Sequence, residues 1–275
     1  MTDVTGLHLR WYDHWLKGAD NGVEDQPPVR IFVMGDNYWR DEADWPLPGT
    51  VFRPFYLSGD GRANTASGDG RLTTTPPASR KESTDRFLYD PRRPVPTIGG
   101  GTLLAGQDVG ANSGPRDQRP LAGRDDILHY VTEPLEGRLE VTGPLELRIF
   151  VSSSAQDTDF VARLIDIHPS GYAALLADGV LRMRYRESLS KPELLVPGRV
   201  YEVRFSLGAT SNAFLPGHRI CLALSSSSFP RFDYNTNTGG DISRETGRDG
   251  QVAINAVYHD AQHPSYLLLP IVVRN

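Results

Sequence analysis

The sequence predicts an all-β fold, a jelly-roll β-sandwich, preceded by one short amphipathic helix. Glycine and proline supply 27 and 21 of the 275 residues, which exceeds average usage and favours short elements joined by tight turns. Short apolar or alternating runs recur along the chain and are separated by turn signals such as Pro197-Gly198 and Pro216-Gly217. Alternation of strands with helices is missing, which excludes a parallel sheet and favours one β domain with an appended helix.

The predicted helix comprises Leu7–Lys17. Leu7, Trp11 and Trp15 are spaced four residues apart, which puts them on one face of a helix. Gly18 follows where the helix would end, because glycine adopts the left-handed conformation of a C-cap without strain.

After the helix, the periodicity changes from helical to strand-like. The predicted strands share an alternating or short apolar pattern bounded by turn residues. They lie near Val29–Val33, Phe55–Leu57, Phe87–Tyr89, Ile127–Thr132, Leu139–Val141, Leu145–Ser152, Asp159–His168, Tyr172–Leu176, Gly179–Tyr185, Val200–Leu207, Arg219–Ser226 and Tyr266–Val273. Residues 90–126 are rich in proline and glycine and form a segment longer than an ordinary loop of a compact domain. We therefore expect this segment to cover part of the protein surface and to have a function at that surface.

Charge and cysteine content exclude several classes of protein. Acidic residues outnumber basic ones by 34 to 29, so the electrostatic footprint of a nucleic-acid partner is missing. Cys221 is alone, which excludes an internal disulfide and fits a cytoplasmic location. The longest apolar run, Tyr266–Val273, is far shorter than the ~20 residues that span a bilayer. We therefore expect neither nucleic acid nor a membrane as a partner.

The search for chemistry identifies no complete site. The G-x-S-x-G motif of α/β-hydrolases is missing, and Gly110–Gly114 imitates it with the serine one position late. The serine runs at 152–154 and 225–228 end apolar strands, where serine satisfies backbone groups. His259 and His263 have the spacing of metal ligands on a helix, but a proline follows directly and leaves room for only one turn. No catalytic residue, metal or cofactor is therefore predicted.

A basic stretch leaves two alternatives open. Arg182, Arg184 and Arg186 alternate along a predicted strand and would share one of its faces. That face is equally consistent with exposure to solvent and with binding a carboxylate, for example that of Asp125 or Asp126.

Several segments, in order along nearly the whole chain, carry a resemblance to a known family. They are Trp11–Gly18, Val29–Gly35 with Trp39-Arg40, Asp117–Pro120 with Arg124–Leu128, Asp157–Phe160 through Arg182–Arg186, and Phe214–Ile220 with Ser226–Pro230. In these segments the chain resembles the C-terminal part of CocE/NonD hydrolases, the family of cocaine esterase, glutaryl acylases, α-amino acid ester hydrolases and X-Pro dipeptidyl-peptidases.

The resemblance implies a galactose-binding-like jelly roll that packs against an α/β-hydrolase domain. It divides the chain into residues 1–18, which resemble the last helix of the hydrolase domain, and residues 19–275, the sandwich. The serine, acid and base of such enzymes belong to the hydrolase part, which precedes this helix. His8 lies near the position of the base, but it falls inside the helix and is not assigned that role.

The resemblance also implies how such a domain serves an enzyme, by completing the substrate pocket and an oligomer interface. Leu103 and Leu104 match a loop that lines the acyl pocket, and Ala105 stands where some relatives have a larger side chain. Such a wall would exclude water and select acyl groups. The alternative is that both leucines only anchor the loop to the sandwich.

Leu7, Trp11 and Trp15 form the predicted interface with a further domain or subunit. A buried aromatic side chain covers ~150–250 Å², so two uncovered tryptophans would make a large exposed patch. We therefore expect the helix to fold back on the sandwich, to pair with a second copy, or to bind an α/β-hydrolase domain or subunit.

Two further functions remain open. Jelly rolls bind glycans through exposed aromatic residues, and the candidates are Trp39, Trp45, Tyr56 and Phe232, most of which we expect in the core. Residual esterase activity with an improvised nucleophile is the other alternative, so whether this chain is itself an enzyme is left open.

Overall fold

The computed structural model describes residues 3–65, 67–79, 81, 83–102 and 113–273. These residues form one α-helix, α1 (Val4–Lys17), and thirteen strands. The strands are β1 (Val29–Val33), β2 (Tyr38–Glu42), β3 (Thr50–Ser58), β4 (Arg71–Thr73), β5 (Thr84–Tyr89), β6 (Leu128–Val131), β7 (Leu139–Ser153), β8 (Asp159–Ile167), β9 (Ala173–Arg182), β10 (Tyr201–Phe214), β11 (Arg219–Ser225), β12 (Ala253–Tyr258) and β13 (Tyr266–Val272). The prediction of an all-β sandwich with an N-terminal helix is confirmed.

The fifteen-residue strand β7 is the centre of the sheet. It pairs antiparallel with β10 along one edge and with β12 and β13 along the other. From β13 the sheet continues through β3, β4, β6, β11 and β8 to β9, and from β12 it continues to β5. The hairpin of β1 and β2 forms a separate small sheet, which a bridge from Met34 to Asn212 joins to β10.

The hydrophobic core lies between the two halves of this folded-over sheet. Alternate residues of β7 enter it, as the two-residue period of a strand requires, and they meet side chains of β8 and β11. Its fully buried members include Leu145, Leu147, Ile149, Val151, Leu164 and Leu222. Burial of these apolar side chains stabilises the sandwich, and it joins β7 and β8 to β11, which lies far from them in sequence.

Two pairs of predicted strands are in fact single strands. β7 continues through Gly143 and Pro144, although a proline has no amide hydrogen to donate to a neighbouring strand. A β-bulge in β10, between Ser206 and Ala209, lies opposite and lets the pairing continue. β9 likewise continues across the gap between the predicted strands Tyr172–Leu176 and Gly179–Tyr185. There Gly179 lets β10 approach closely, since an added Cβ would lie 2.2 Å from the carbonyl oxygen of Ser206.

The sequence analysis missed β2, β4 and β12, and it began the helix three residues too late. Two alanines and Asn255 occupy β12, and these residue types are depleted in strands. Tertiary contacts decide the conformation instead, because the buried Asn255 side chain donates hydrogen bonds to Thr158 and Ser226. At the helix, Asp3 is the N-cap, and its carboxylate accepts a 2.9 Å hydrogen bond from the amide of Gly6.

The prediction that three arginines share one strand face is wrong. β9 ends at Arg182, and the next three residues form a 3₁₀ turn, so the alternation of a strand stops there. Each arginine has its own carboxylate partner, and Asp126 pairs instead with Arg124 at 2.6 Å. The pairs are Arg182–Asp159 at 3.0 Å, Arg184–Asp157 at 2.7 Å and Arg186–Glu193 at 2.8 Å.

Asp157 and Asp159 form a buried polar junction beneath this turn. The side-chain amide of Asn235 donates 2.7 Å hydrogen bonds to both carboxylates. Burial raises the pKa of Asp159, because the hydrogen bonds from Arg182 and Asn235 only partly offset the desolvation of its charge. The junction therefore depends on every partner being in place.

Replacement of Asp157 by asparagine (Asp157→Asn) should lower the free energy of unfolding by about 3–5 kcal/mol, because it leaves the largely buried guanidinium of Arg184 without its counter-ion. The matched control is Asp241→Asn, which removes an exposed ion pair with Arg244 and should change stability by less than about 1 kcal/mol. Urea denaturation of both variants measures the difference. Equal losses would contradict the role of the junction.

A further buried carboxylate, that of Asp85, accepts hydrogen bonds from Tyr130, His259 and the amide of Ala63 at 2.7–3.0 Å. Burial by itself would raise the pKa of Asp85, but these hydrogen bonds outweigh it and hold the pKa below its ordinary value. The ionised group therefore stabilises the fold above pH ~4, and this stabilisation is lost as the pH falls through the folded-state pKa.

The loss of stability between pH ~5 and pH ~3 should therefore be smaller in Asp85→Asn than in the wild-type chain, although the variant starts from lower stability at pH 7. The exposed Asp60, on a nearby loop, supplies the control Asp60→Asn, which should keep the wild-type profile. Thermal unfolding across this pH range is the measurement. If Asp85→Asn lost as much stability at acid pH as the wild-type chain, the stabilising role of ionised Asp85 would be contradicted.

Candidate functional site

The helix α1 presents an uncovered aromatic face. Leu7, Trp11 and Trp15 are 54%, 53% and 54% exposed, and no residue of α1 is buried. The two indole rings lie 5.8 Å apart between centroids, so they form one continuous apolar surface. The expectation that the helix folds back on the sandwich is therefore wrong for the single chain.

Polar contacts fix α1 to the segment that follows it. The guanidinium of Arg10 donates a 2.9 Å hydrogen bond to the carbonyl of Asn21, whose side chain donates at 2.7 Å to the carbonyl of Arg10. His14 contacts the carbonyl of Ala19 at 2.9 Å, and Gly18 closes the helix in the left-handed conformation. The helix is thus held in a defined orientation while its aromatic face stays open.

A shallow cavity of about 340 Å³ continues this apolar face. Leu7 and Trp11 form one wall, and Val23, Pro27 and Pro28 form the other. A concave apolar surface beside exposed tryptophans suits the side chains of a docked protein. We name Leu7, Trp11 and Trp15 with this cavity the helix face.

The proposed glycan-binding aromatics are not in the core, so that expectation is wrong. Trp39 and Trp45 are exposed, and Tyr56 and Phe232 are half-buried. Trp39 is partly covered, because the ring of Phe32 packs against it and the guanidinium of Arg30 lies 5.8 Å from its centroid. The exposed aromatics of the hairpin therefore belong to a local cluster.

A second cavity, of about 550 Å³, lies between the β1–β2 hairpin and the ends of β8 and β11. Phe32, Met34, Leu176 and Leu215 make its walls apolar. Asp166, His168 and His218 form a polar cluster in it, with Asp166 only 3% exposed. In the sequence, Asp166 and His168 lie at the end of the predicted strand Asp159–His168, and His218 joins them only through the pairing of β8 with β11.

The predicted pocket-wall residues Leu103, Leu104 and Ala105 lie outside the described residues. Among the described residues on either side of them, the backbones of Gly100 and Gly114 exchange hydrogen bonds of 2.8 and 2.9 Å.

The other chemical candidates serve the structure. The serine hydroxyls of residues 225–227 accept hydrogen bonds from the side chains of Arg163 and Asn255 and from the backbone amide of Val95, so they satisfy side-chain as well as backbone groups. His259 and His263 do not converge on one site, because His259 contacts Asp85 and His263 contacts Asp260. Within the part of the chain that the structure describes, no helix is long and apolar enough to cross a membrane.

The fold defines a class, a β-sandwich domain that is preceded by a helix with an exposed apolar face. Residues 21–268 match the family of X-Pro dipeptidyl-peptidase C-terminal non-catalytic domains, and the chain belongs to that family.

Individual relatives agree with this assignment. The cocaine esterase of Rhodococcus sp. (strain MB1 Bresler) is 50% identical over 272 residues, which cover 99% of this chain and 46% of the relative. An aminopeptidase from the marine sediment archaeon Thaumarchaeota archaeon has a TM-score of 0.83 with 32% identity, over 98% of this chain and 44% of that one. An α-amino acid ester hydrolase has a TM-score of 0.81 with 30% identity, over 96% and 44%. The chain spans about half the length of the relatives it matches.

The openness of the helix face predicts the fluorescence of its tryptophans. In a Trp39→Phe/Trp45→Phe variant, only Trp11 and Trp15 emit, and we expect red-shifted emission that acrylamide quenches efficiently, because both indoles are half exposed. The measurement is made at a concentration where sedimentation shows a monomer. Blue-shifted emission resistant to quenching would mean that the helix packs on its own sandwich.

Proposed function

We propose that this chain is the accessory C-terminal domain of a CocE/NonD-type serine hydrolase that cleaves ester or amide bonds, X-Pro peptide bonds included, and that it docks on the α/β-hydrolase domain through the helix face. The observation that carries the proposal is the uncovered surface of Leu7, Trp11 and Trp15 on an oriented helix. Membership of a family of non-catalytic domains supports it, as do relatives named as esterases and an aminopeptidase about twice as long.

The helix face has the composition of an interface core. Tryptophan is enriched among residues that dominate binding energy, and such residues lie at the centre of a patch with a polar rim. Here Lys17 and Asp13 form an exposed ion pair at 2.6 Å beside the apolar centre. Docking would remove the two indoles from water at little entropic cost, because α1 is already oriented by its contacts with residues 19–22.

The same proposal gives residues 1–18 and 19–275 different roles. Residues 1–18 would complete the catalytic domain, and the family match, which begins at residue 21, supports this division. Leu103, Leu104 and Ala105 would form part of the substrate-pocket wall, presented from the bridge between Gly100 and Gly114. A roomier acyl pocket would follow from the small side chain of Ala105.

Other occupants of the helix face are outcomes of the test. Without a hydrolase domain, two copies of the chain would pair through it, which makes it an oligomer interface. The cytoplasm is the proposed location, in keeping with a single free cysteine whose burial raises the pKa of the Cys221 thiol to about 12 and keeps it unreactive. Glycan binding is the alternative function, for which Trp39 and Trp45 are the exposed aromatic residues, although Phe32 and Arg30 cover part of Trp39.

The test is a binding measurement with the part of the Rhodococcus cocaine esterase that this chain does not cover. We expect the wild-type chain to bind this fragment and to raise its hydrolysis of an aryl ester. Trp11→Ser/Trp15→Ser should weaken binding at least tenfold, about 1.4 kcal/mol or more, because two interface aromatics are lost.

The matched control is Leu9→Ser. Leu9 is equally exposed but lies on another side of α1, so the variant should bind like the wild-type chain. Equal binding by the Trp11→Ser/Trp15→Ser variant would contradict docking through the helix face. Hydrolysis of the aryl ester by this chain alone would contradict its non-catalytic role.

A further inference from the structure

We propose that Asp166, His168 and His218 bind a divalent first-row transition-metal ion, of which Zn²⁺ is the best fit, on the floor of the apolar cavity beside the β1–β2 hairpin. This site lies in the sandwich, apart from the helix face, and does not depend on the proposed docking function.

The fold brings the three side chains together in a way that sequence spacing alone does not reveal. Asp166 and His168 are two residues apart at the end of β8, so they project to the same side. β11 pairs antiparallel with β8, with Arg219 opposite Ile167, and His218 directly precedes that pair. Two paired strand ends therefore deliver one carboxylate and two imidazoles to a single point.

The donor atoms are close to the spacing that a shared ion requires. One atom from each side chain lies within 4.8 Å of the other two. The Nδ1 of His218 is 2.8 Å from Asp166, and the Nε2 of His168 is 3.8 Å from the same carboxylate. Donors about 2.1 Å from a common ion are at most about 4.2 Å apart, so small side-chain rotations complete the site.

The neighbouring residues orient the ligands. The side-chain amide of Asn212 lies 3.4 Å from the second carboxylate oxygen of Asp166. The ring of Tyr172 packs edge-on against His168, and the Tyr172 hydroxyl donates a 2.8 Å hydrogen bond to the carbonyl of Pro115. Such second contacts set the direction of imidazole and carboxylate ligands.

The cavity itself fits an ion with an open coordination position. Its volume of about 550 Å³ leaves room for water or a small ligand on the metal, and the half-buried side chain of His168 is in contact with solvent. Three protein ligands and an open fourth position are the arrangement of reactive zinc sites, whereas calcium and magnesium require oxygen ligands. Two imidazoles and one carboxylate therefore favour zinc over the alkaline-earth ions.

Other histidines of the described residues lack this arrangement. His259 and His263 each contact a carboxylate, but in each case with a single imidazole. Among the described residues, only the Asp166–His168–His218 cluster gathers three potential metal ligands. This difference supplies a control within the same chain.

The experiment measures zinc binding to the 275-residue chain after treatment with a chelator and desalting. We expect one Zn²⁺ per chain in competition with a chromophoric chelator, a Co²⁺ derivative with visible d–d absorption, and a rise in the melting temperature on adding zinc. His168→Phe should weaken zinc binding at least tenfold and abolish the cobalt spectrum. Its melting temperature in chelator should stay unchanged, because phenylalanine keeps the packing against Tyr172 and His218.

The control His263→Phe removes an imidazole from a pair that has no second histidine, so zinc affinity and stoichiometry should be those of the wild-type chain. The less exposed His218 is left unchanged, since its loss would also remove the 2.8 Å hydrogen bond to Asp166. Three results would overturn the proposal. The first is no binding at roughly 100 µM zinc, the concentration taken as the upper limit for the dissociation constant. The others are zinc binding by His168→Phe as tight as that of the wild-type chain, and zinc binding weakened as much by His263→Phe as by His168→Phe.

Discussion

The sandwich depends on one constraint, the hydrogen bonding of β7 along both of its edges. β10 pairs with one edge over nearly the full strand, and β12 and β13 divide the other edge between them. Because every second side chain of β7 then points into the core, this pairing fixes which residues of β8 and β11 they meet. The register of β8 with β11 in turn sets where Asp166, His168 and His218 lie.

The helix α1 stands in contrast, because none of the described residues of the sandwich covers its apolar face. The sandwich buries its own hydrophobic side chains and closes its polar junctions around Asp85, Asp157 and Asp159. In the helix, the polar contact of Arg10 with Asn21 holds α1 against the following segment, and Trp11 and Trp15 remain exposed to water. An interface requires an ordered element whose apolar side chains are still exposed, and α1 is such an element. This difference between the helix and the sandwich, which buries its own apolar side chains, is the basis of the proposed function.

The sequence predicted the fold class, the helix and most strands, because periodicity and Pro-Gly turns are local signals. The prediction was wrong where contacts between residues distant in sequence determine the conformation. β12 is a strand because Asn255 donates hydrogen bonds to Thr158 and Ser226. β7 continues through Pro144 because a β-bulge in β10 allows it. The helix face was visible in the sequence from its four-residue spacing. The metal-binding cluster was not, because His218 lies 50 residues from His168 and meets it only through strand pairing.

The central claim is that the helix face is the surface on which a hydrolase domain docks. Hydrogen exchange of this chain, alone and bound to the part of the Rhodococcus relative that it does not cover, tests the claim directly. We expect the amides of Val4–Lys17 to exchange quickly in the free chain and to become protected in the complex, while those of β7 are protected in both. Protection that appears elsewhere on the sandwich and leaves α1 unchanged would contradict the claim.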